Sequence, residues 1–133
     1  MNNTLTTLIT SATQALQHAY APYSGYQVGA SIRCEHGHIF SGANIENPAY
    51  GLTLCAEATA IATMIMAGCR EIKELVLINN SAKYCTPCGA CRQRIREFAM
   101  EDALIHCCDF SGIQKTFTLG ALLPEAFSAN NLK

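Results

Sequence analysis

Cys55-Ala56-Glu57 opens one apolar segment of the chain, and Pro87-Cys88-Gly89-Ala90-Cys91 opens another about thirty residues later. Three thiols and one carboxylate at this spacing have the makings of a metal centre with a proton-transfer group beside it. Cys88 and Cys91 are three apart, so on a helix their side chains share one face and reach one ion. Both fall in a first turn, where unpaired backbone N–H groups and the helix dipole favour thiolates, and Cys55 begins a second helix in the same way. Two helix starts meeting over one zinc would supply three sulfurs and leave the fourth position open to water, the catalytic rather than the structural kind of zinc site. Glu57 sits in a segment that is otherwise nearly all apolar. Burying an unpaired carboxylate there costs on the order of several kcal/mol, so Glu57 needs a partner or a task.

Other readings of the same residues stay open at this level. Cys85-Thr86-Pro87-Cys88 is also a CxxC, the form of a thioredoxin-like redox pair, although such a pair explains neither Glu57 nor Cys91. A purely structural zinc site needs a fourth protein ligand, and Cys85 could be that ligand.

The elements that must position these residues follow from periodicity. Leu5, Leu8, Ile9, Ala12, Leu16 and Ala19 recur at helical spacing and predict an amphipathic first helix, ended by Pro22. Gln27 to Cys34 and His38 to Gly42 read as a hairpin turning at Glu35-His36-Gly37. Ala56 to Ala67 is apolar nearly all round, which predicts a helix inside the protein, with Gly68 as its C-terminal stop. Leu75-Val76-Leu77-Ile78, within a strand from Glu71 to Asn79, is a run typical of a strand covered on both faces. Cys88 to Met100 reads as a helix, Ala103 to Cys108 and Gln114 to Thr118 as short strands, and Leu119 to Phe127 as a closing helical turn. The order is helix, two strands, helix, strand, helix, two strands. Helices alternating with strands imply an α/β fold with a mixed sheet and helices on both faces.

At 133 residues, without a repeat or a linker-like stretch, the chain reads as one domain, 1–133. Half of the residues are hydrophobic and only 14% are charged, which points to surface covered by other subunits. A formal net charge of −1 gives no general pull toward nucleic acid or an anionic membrane. No apolar run approaches the ~18 residues that span a bilayer, and Met1 to Ala19 lacks the pattern of a signal peptide, so a cytoplasmic location is expected. The eight cysteines then read as reduced thiols rather than a disulfide framework, with Cys34, Cys69, Cys107 and Cys108 as small packing residues.

Cys-x-Glu followed by Pro-Cys-x-x-Cys resembles the three-cysteine form of the zinc deaminase motif. Ala21-Pro22-Tyr23-Ser24-Gly25-Tyr26-Gln27-Val28-Gly29-Ala30 and Gly42-Ala43-Asn44-Ile45-Glu46-Asn47 resemble the first substrate-binding segments of cytidine deaminases, and Leu122-Leu123-Pro124-Glu125-Ala126-Phe127 their C-terminal segment. The likeness runs from about residue 5 to residue 128, and it is to the small homotetrameric class of that family. It implies a three-layer α-β-α fold on a five-stranded mixed sheet. It also implies one Zn2+ per subunit on Cys55, Cys88 and Cys91, with Glu57 as the proton shuttle. The substrate would be a nucleoside, cytidine or deoxycytidine, converted to the uracil nucleoside with release of ammonia in pyrimidine salvage. By the same resemblance Asn44 and Glu46 bind the ribose hydroxyls, the carbonyl of Ala56 accepts from the exocyclic amine, and Phe127 reaches into a neighbouring subunit's site. Tyr26 stands where the family commonly has Phe and is expected to line the pocket.

One position departs from the family pattern. Many relatives with three cysteine ligands carry Arg directly after the catalytic Glu, and this chain has Ala58. Three thiolates and Zn2+ sum to −1, and excess negative charge makes a bound water less acidic. The helix N-termini, with Arg92 or another nearby arginine, then carry more of that offset, and a solvated helix face is the other reading of Arg92, Arg94 and Arg96. Ala after the Glu also occurs in deaminases of blasticidin-type cytosine antibiotics, which makes such a substrate the alternative within enzymes. A non-catalytic zinc-stabilised scaffold is the alternative outside them.

Overall fold

The computed structural model describes residues 3–133; Met1 and Asn2, with which the expected 1–133 domain begins, lie outside the described residues. The chain runs through α1 (Asn3–Leu16), β1 (Val28–Cys34), β2 (Ile39–Ala43), α2 (Ala56–Met66), β3 (Ile72–Asn79), α3 (Gly89–Phe98), β4 (Ala99–Asp109), β5 (Gly112–Thr118) and α4 (Leu119–Leu122). The strands form one mixed sheet in the order β2-β1-β3-β4-β5. Only β3 and β4 are parallel, joined by α3 as crossover, and the other pairs are antiparallel. This is the α/β architecture that the order of elements predicts.

Two hydrophobic layers enclose the sheet. Leu8, Ala12 and Leu16 of α1 pack with Val76, Ile78 and Cys108 on one face. Ala56, Ala60, Ile61 and Met64 of α2 pack with Ala30, Ile32, Leu75 and Leu77 on the other, beside Ile95 of α3. Alternate residues of β3 feed opposite layers, and this is why its apolar run is unbroken. Two glycines set how closely the helices approach. A Cβ on Gly29 would lie 2.1 Å from the Ala12 carbonyl oxygen, and one on Gly42 would lie 2.5 Å from the Ala60 nitrogen. The backbones of α1 and α2 therefore rest directly on the sheet.

The structure corrects several of the expected elements: the helix from Cys88 to Met100 spans Gly89–Phe98, and the closing helical turn from Leu119 to Phe127 spans only Leu119–Leu122. The first helix ends at Leu16 rather than at Pro22, because Gln17, His18 and Ala19 donate to carbonyls only three residues back and Tyr20 then pairs with Ile45. Strand β4 begins at Ala99, well before Ala103; its early residues Met100, Glu101 and Asp102 are exposed, so no apolar run marks them. Helix α2 is not enclosed all round within the chain. Ala62, Thr63 and Met66 face outward, because the helix forms an outer layer and a single sheet covers one side of it.

Candidate active site

Cys55 is the N-cap residue of α2, with Ala56 and Glu57 in the first turn, and Cys88 is the N-cap residue of α3, with Cys91 three residues on. The two helix starts converge at one end of the sheet. There the Sγ atoms of Cys55, Cys88 and Cys91 all lie within 4.8 Å of one another. Neither N-cap side chain bonds its own helix, so both thiols are turned toward the shared centre. The set fits zinc, for which thiolates are preferred ligands and three protein donors mark the open kind of site. Cys85 does not belong to this group, which leaves the structural reading without its fourth sulfur.

The site is electrostatically poised. The Cys55 thiol is pushed down to about 6, first by the hydrogen bond from Cys91, then by Cys88 and the Arg94 guanidinium, against the cost of burial. Cys91 is driven in the opposite direction, mainly because its proton is held in the bond to Cys55. Glu57 is 4% exposed. Burial is the main cause that pushes its carboxyl up to about 7, and the neighbouring Cys55 charge adds to it. A carboxyl that titrates near neutrality accepts and returns a proton with little cost at either step.

A cavity of about 280 Å³ opens onto these groups. Tyr26 just before β1, Val28 at its start, Asn44 after β2, Leu77 of β3, and Cys85, Thr86 and Cys88 form its walls around Cys55, Ala56 and Glu57. Of the residues expected at the site, the fold brings Cys55, Cys88, Cys91, Glu57, Ala56, Asn44 and Tyr26 together. Asn44 is also structural: its Oδ1 accepts from the Val28 N–H at 2.9 Å and its Nδ2 donates to the Tyr26 carbonyl at 2.8 Å. One N–H and one lone pair remain on that amide. The Tyr26 hydroxyl is held protonated to well above its usual range, first by burial and then by the Cys85 thiol beside it.

Glu46 lines an adjoining recess of about 150 Å³ with Tyr23, Ser24, Asn47, Tyr50 and Thr53, and Thr53 borders both spaces. Its carboxylate accepts from the Tyr23 and Ser24 amides at 3.0 and 3.2 Å and from the Ser24 hydroxyl, which hold its pKa down. Phe127 is not part of this chain's own cavity. It lies 60% exposed, beside Gln93, which donates to its carbonyl at 2.8 Å.

The structure also supplies residues that sequence spacing did not single out. Buried Asn79 accepts from the Ser81 amide at 2.7 Å and donates to the Lys83 carbonyl at 3.0 Å, and Asn80 bonds Gly25 and Gln27. These bonds fold the segment that delivers Cys88. Arg92 braces the same segment through the Pro87 carbonyl at 2.8 Å, Thr86 Oγ1 at 3.1 Å and the Leu122 carbonyl at 2.9 Å. It is therefore not the expected partner of the sulfurs. Asparagines ending a strand are a weak sequence signal, since they mark turns of every kind.

Residues 2–107 match the cytidine and deoxycytidylate deaminase zinc-binding region. A cytidine deaminase from Halalkalibacterium halodurans is 39% identical over 125 residues, covering 94% of this chain and 95% of that protein. The crystal structure of cytidine deaminase from Burkholderia pseudomallei superposes with a TM-score of 0.87 at 36% identity, covering 96% of this chain and all of that one. A blasticidin-S deaminase from Bacillus cereus is more distant, 28% identical over 131 residues, covering 92% of this chain and 91% of that protein. The chain belongs to the cytidine and deoxycytidylate deaminase family. It is a hydrolytic deaminase.

Proposed function

We propose that this enzyme converts cytidine and deoxycytidine to uridine and deoxyuridine, with one Zn2+ per chain held by Cys55, Cys88 and Cys91. The observation that carries this reading is the buried Glu57 carboxyl at the floor of a cavity shared with the three convergent thiols. When bound there, zinc would act as a Lewis acid and bring a water within reach of deprotonation near pH 7. Glu57 takes a proton from the attacking water and delivers it to N3 of the pyrimidine, which makes C4 electrophilic. The remaining hydroxyl adds at C4, Glu57 then takes the proton of that hydroxyl and passes it to the exocyclic nitrogen, and ammonia departs as the C4 carbonyl forms. One carboxylate serving as base and then as acid suits a reaction that adds water and expels ammonia at one carbon.

The Ala56 carbonyl is taken to receive the exocyclic amine, and Asn44 with Glu46 the ribose hydroxyls. The free N–H of Asn44 supports this, as does the recess of Glu46 across Thr53. Among the described residues no basic side chain lines either space, which favours a neutral nucleoside over a 5′-phosphorylated one. The antibiotic-type substrate is not carried forward, because the chain is closer to cytidine deaminases than to the blasticidin-S enzyme. We take the chain to be one catalytic domain that assembles as a homotetramer, with Phe127 contributed to a neighbour's site. The outward apolar face of α2 and the exposed Phe127 support that assembly. A cytoplasmic role in pyrimidine salvage is the setting implied by the family.

The test is to follow the ultraviolet change of cytidine with the zinc-loaded protein. Rapid conversion to uridine, with cytidine monophosphate a far poorer substrate, is expected. No conversion by protein with confirmed zinc would overturn the reading.

A further inference from the structure

The charge of three thiolates needs an offset that Ala58 cannot give. Ala58 lies in the first turn of α2, directly after Glu57, and its methyl group carries neither charge nor donor. Three arginines lie on α3, and the structure separates their roles. Arg92 directs its guanidinium to two carbonyls and a hydroxyl. Arg96 donates to the Ala99 carbonyl at 3.2 Å. Arg94 alone of the three reaches a sulfur: its Nη1 donates to Cys91 Sγ at 3.6 Å, an ordinary reach for an N–H to a large acceptor atom. Cys91 and Arg94 are three apart on one helix, so the contact is built into the local geometry. Among the described residues no carboxylate forms an ion pair with Arg94, so its charge is not cancelled elsewhere.

We propose that Arg94 is the positioning and charge-offsetting residue of the thiolate centre, donating to Cys91 from α3 in place of a cation after the catalytic glutamate on α2. The inference rests on the zinc deaminase reading and names a part of that site on this chain's own residues. With Zn2+ and three thiolates at a net −1, the guanidinium brings the centre to zero. A hydrogen bond to Cys91 also reduces the electron density that this sulfur gives the metal, which keeps the metal a stronger Lewis acid.

Arg94 is exposed, so its replacement leaves the core intact. The test compares the full-length protein with Arg94→Gln, Arg94→Lys and the double variant Arg94→Gln/Ala58→Arg. Zinc affinity is measured at pH 7 by competition with a chromogenic chelator, and the sulfur-to-metal charge-transfer bands are recorded after cobalt substitution. Arg94→Gln is expected to bind zinc roughly 10–100-fold more weakly and to shift those bands. Arg94→Lys and the double variant are expected to recover most of the affinity. Wild-type affinity and unshifted bands in Arg94→Gln, in a protein that still turns over cytidine, would overturn this inference and leave the deaminase reading standing. A loss that neither cation restores would also overturn it, since a charge role requires rescue by charge. A wild-type protein that binds no zinc would remove both readings.

Discussion

Cys55 and Cys88 occupy equivalent positions in two different helices. Each is the residue immediately before the first turn, with φ, ψ of −74°, 157° in one and −66°, 166° in the other. In this extended geometry neither side chain bonds its own helix, and both thiols meet Cys91 at one cluster. The two positive helix ends thus bear on one cluster of thiols, where thiolate is the form that binds metal.

The first expectation concerns the division of labour at that cluster. Cys85 borders the cavity but stands apart from the three sulfurs. Cys85→Ser should retain one zinc per chain, measured by metal analysis after dialysis, whereas Cys88→Ser should lose it. Loss of zinc from Cys85→Ser would restore the four-sulfur structural reading.

Glu57→Gln should bind zinc as the wild type does and lose activity by about 10²–10⁴-fold, the usual contribution of a positioned acid–base group. The amide keeps the shape of the carboxyl but cannot exchange a proton. Zinc content together with steady-state turnover checks both halves, and undiminished activity would remove Glu57 from the role.

Gly42 lies under the turn of α2 formed by Thr59 and Ala60, and a Cβ there has no flexible neighbour to displace. Gly42→Ala should therefore lift the helix that carries Cys55 and Glu57. We expect a destabilisation of about 1–3 kcal/mol in urea unfolding, the common cost of overpacking, with a fall in kcat at saturating substrate. Unchanged stability and activity would show that α2 can shift without cost.

A pH effect is expected far from the active site. Glu35 accepts from the backbone N–H of Arg70 and of Glu71, tying the hairpin turn to the segment after α2. These bonds, that of Arg70 first, hold its carboxyl down to about 2 from an ordinary 4.5. A lowered carboxylate contributes stability that is fully present above its unfolded value and is lost as pH falls through its folded value. Glu35→Gln should thus lower the melting temperature at pH 7, and the gap to wild type should close between about pH 4.5 and pH 2. A gap that stays constant over that range would assign the effect to packing.

Much of this protein was legible in its residues. The unbroken run Leu75-Val76-Leu77-Ile78 announced a strand buried on both faces, and Cys-x-Glu with Pro-Cys-x-x-Cys announced three thiols that meet beside a buried carboxyl. These are local signals, set by side-chain period and by donor spacing within one or two turns of helix.

What only the tertiary structure decided are relations between distant segments. Spacing alone could not say whether Cys85 joins the sulfurs, because that depends on how Asn79 and Asn80 fold the segment after β3. Nor could it distinguish Arg92 from Arg94. Two residues apart on α3, they point in different directions, one to the Leu122 carbonyl and the other to Cys91. The physical reason is common to both cases. A side chain's type fixes which bonds it can make, whereas the packing of the elements fixes which partner is within reach, and a hydrogen bond is lost within a fraction of an ångström.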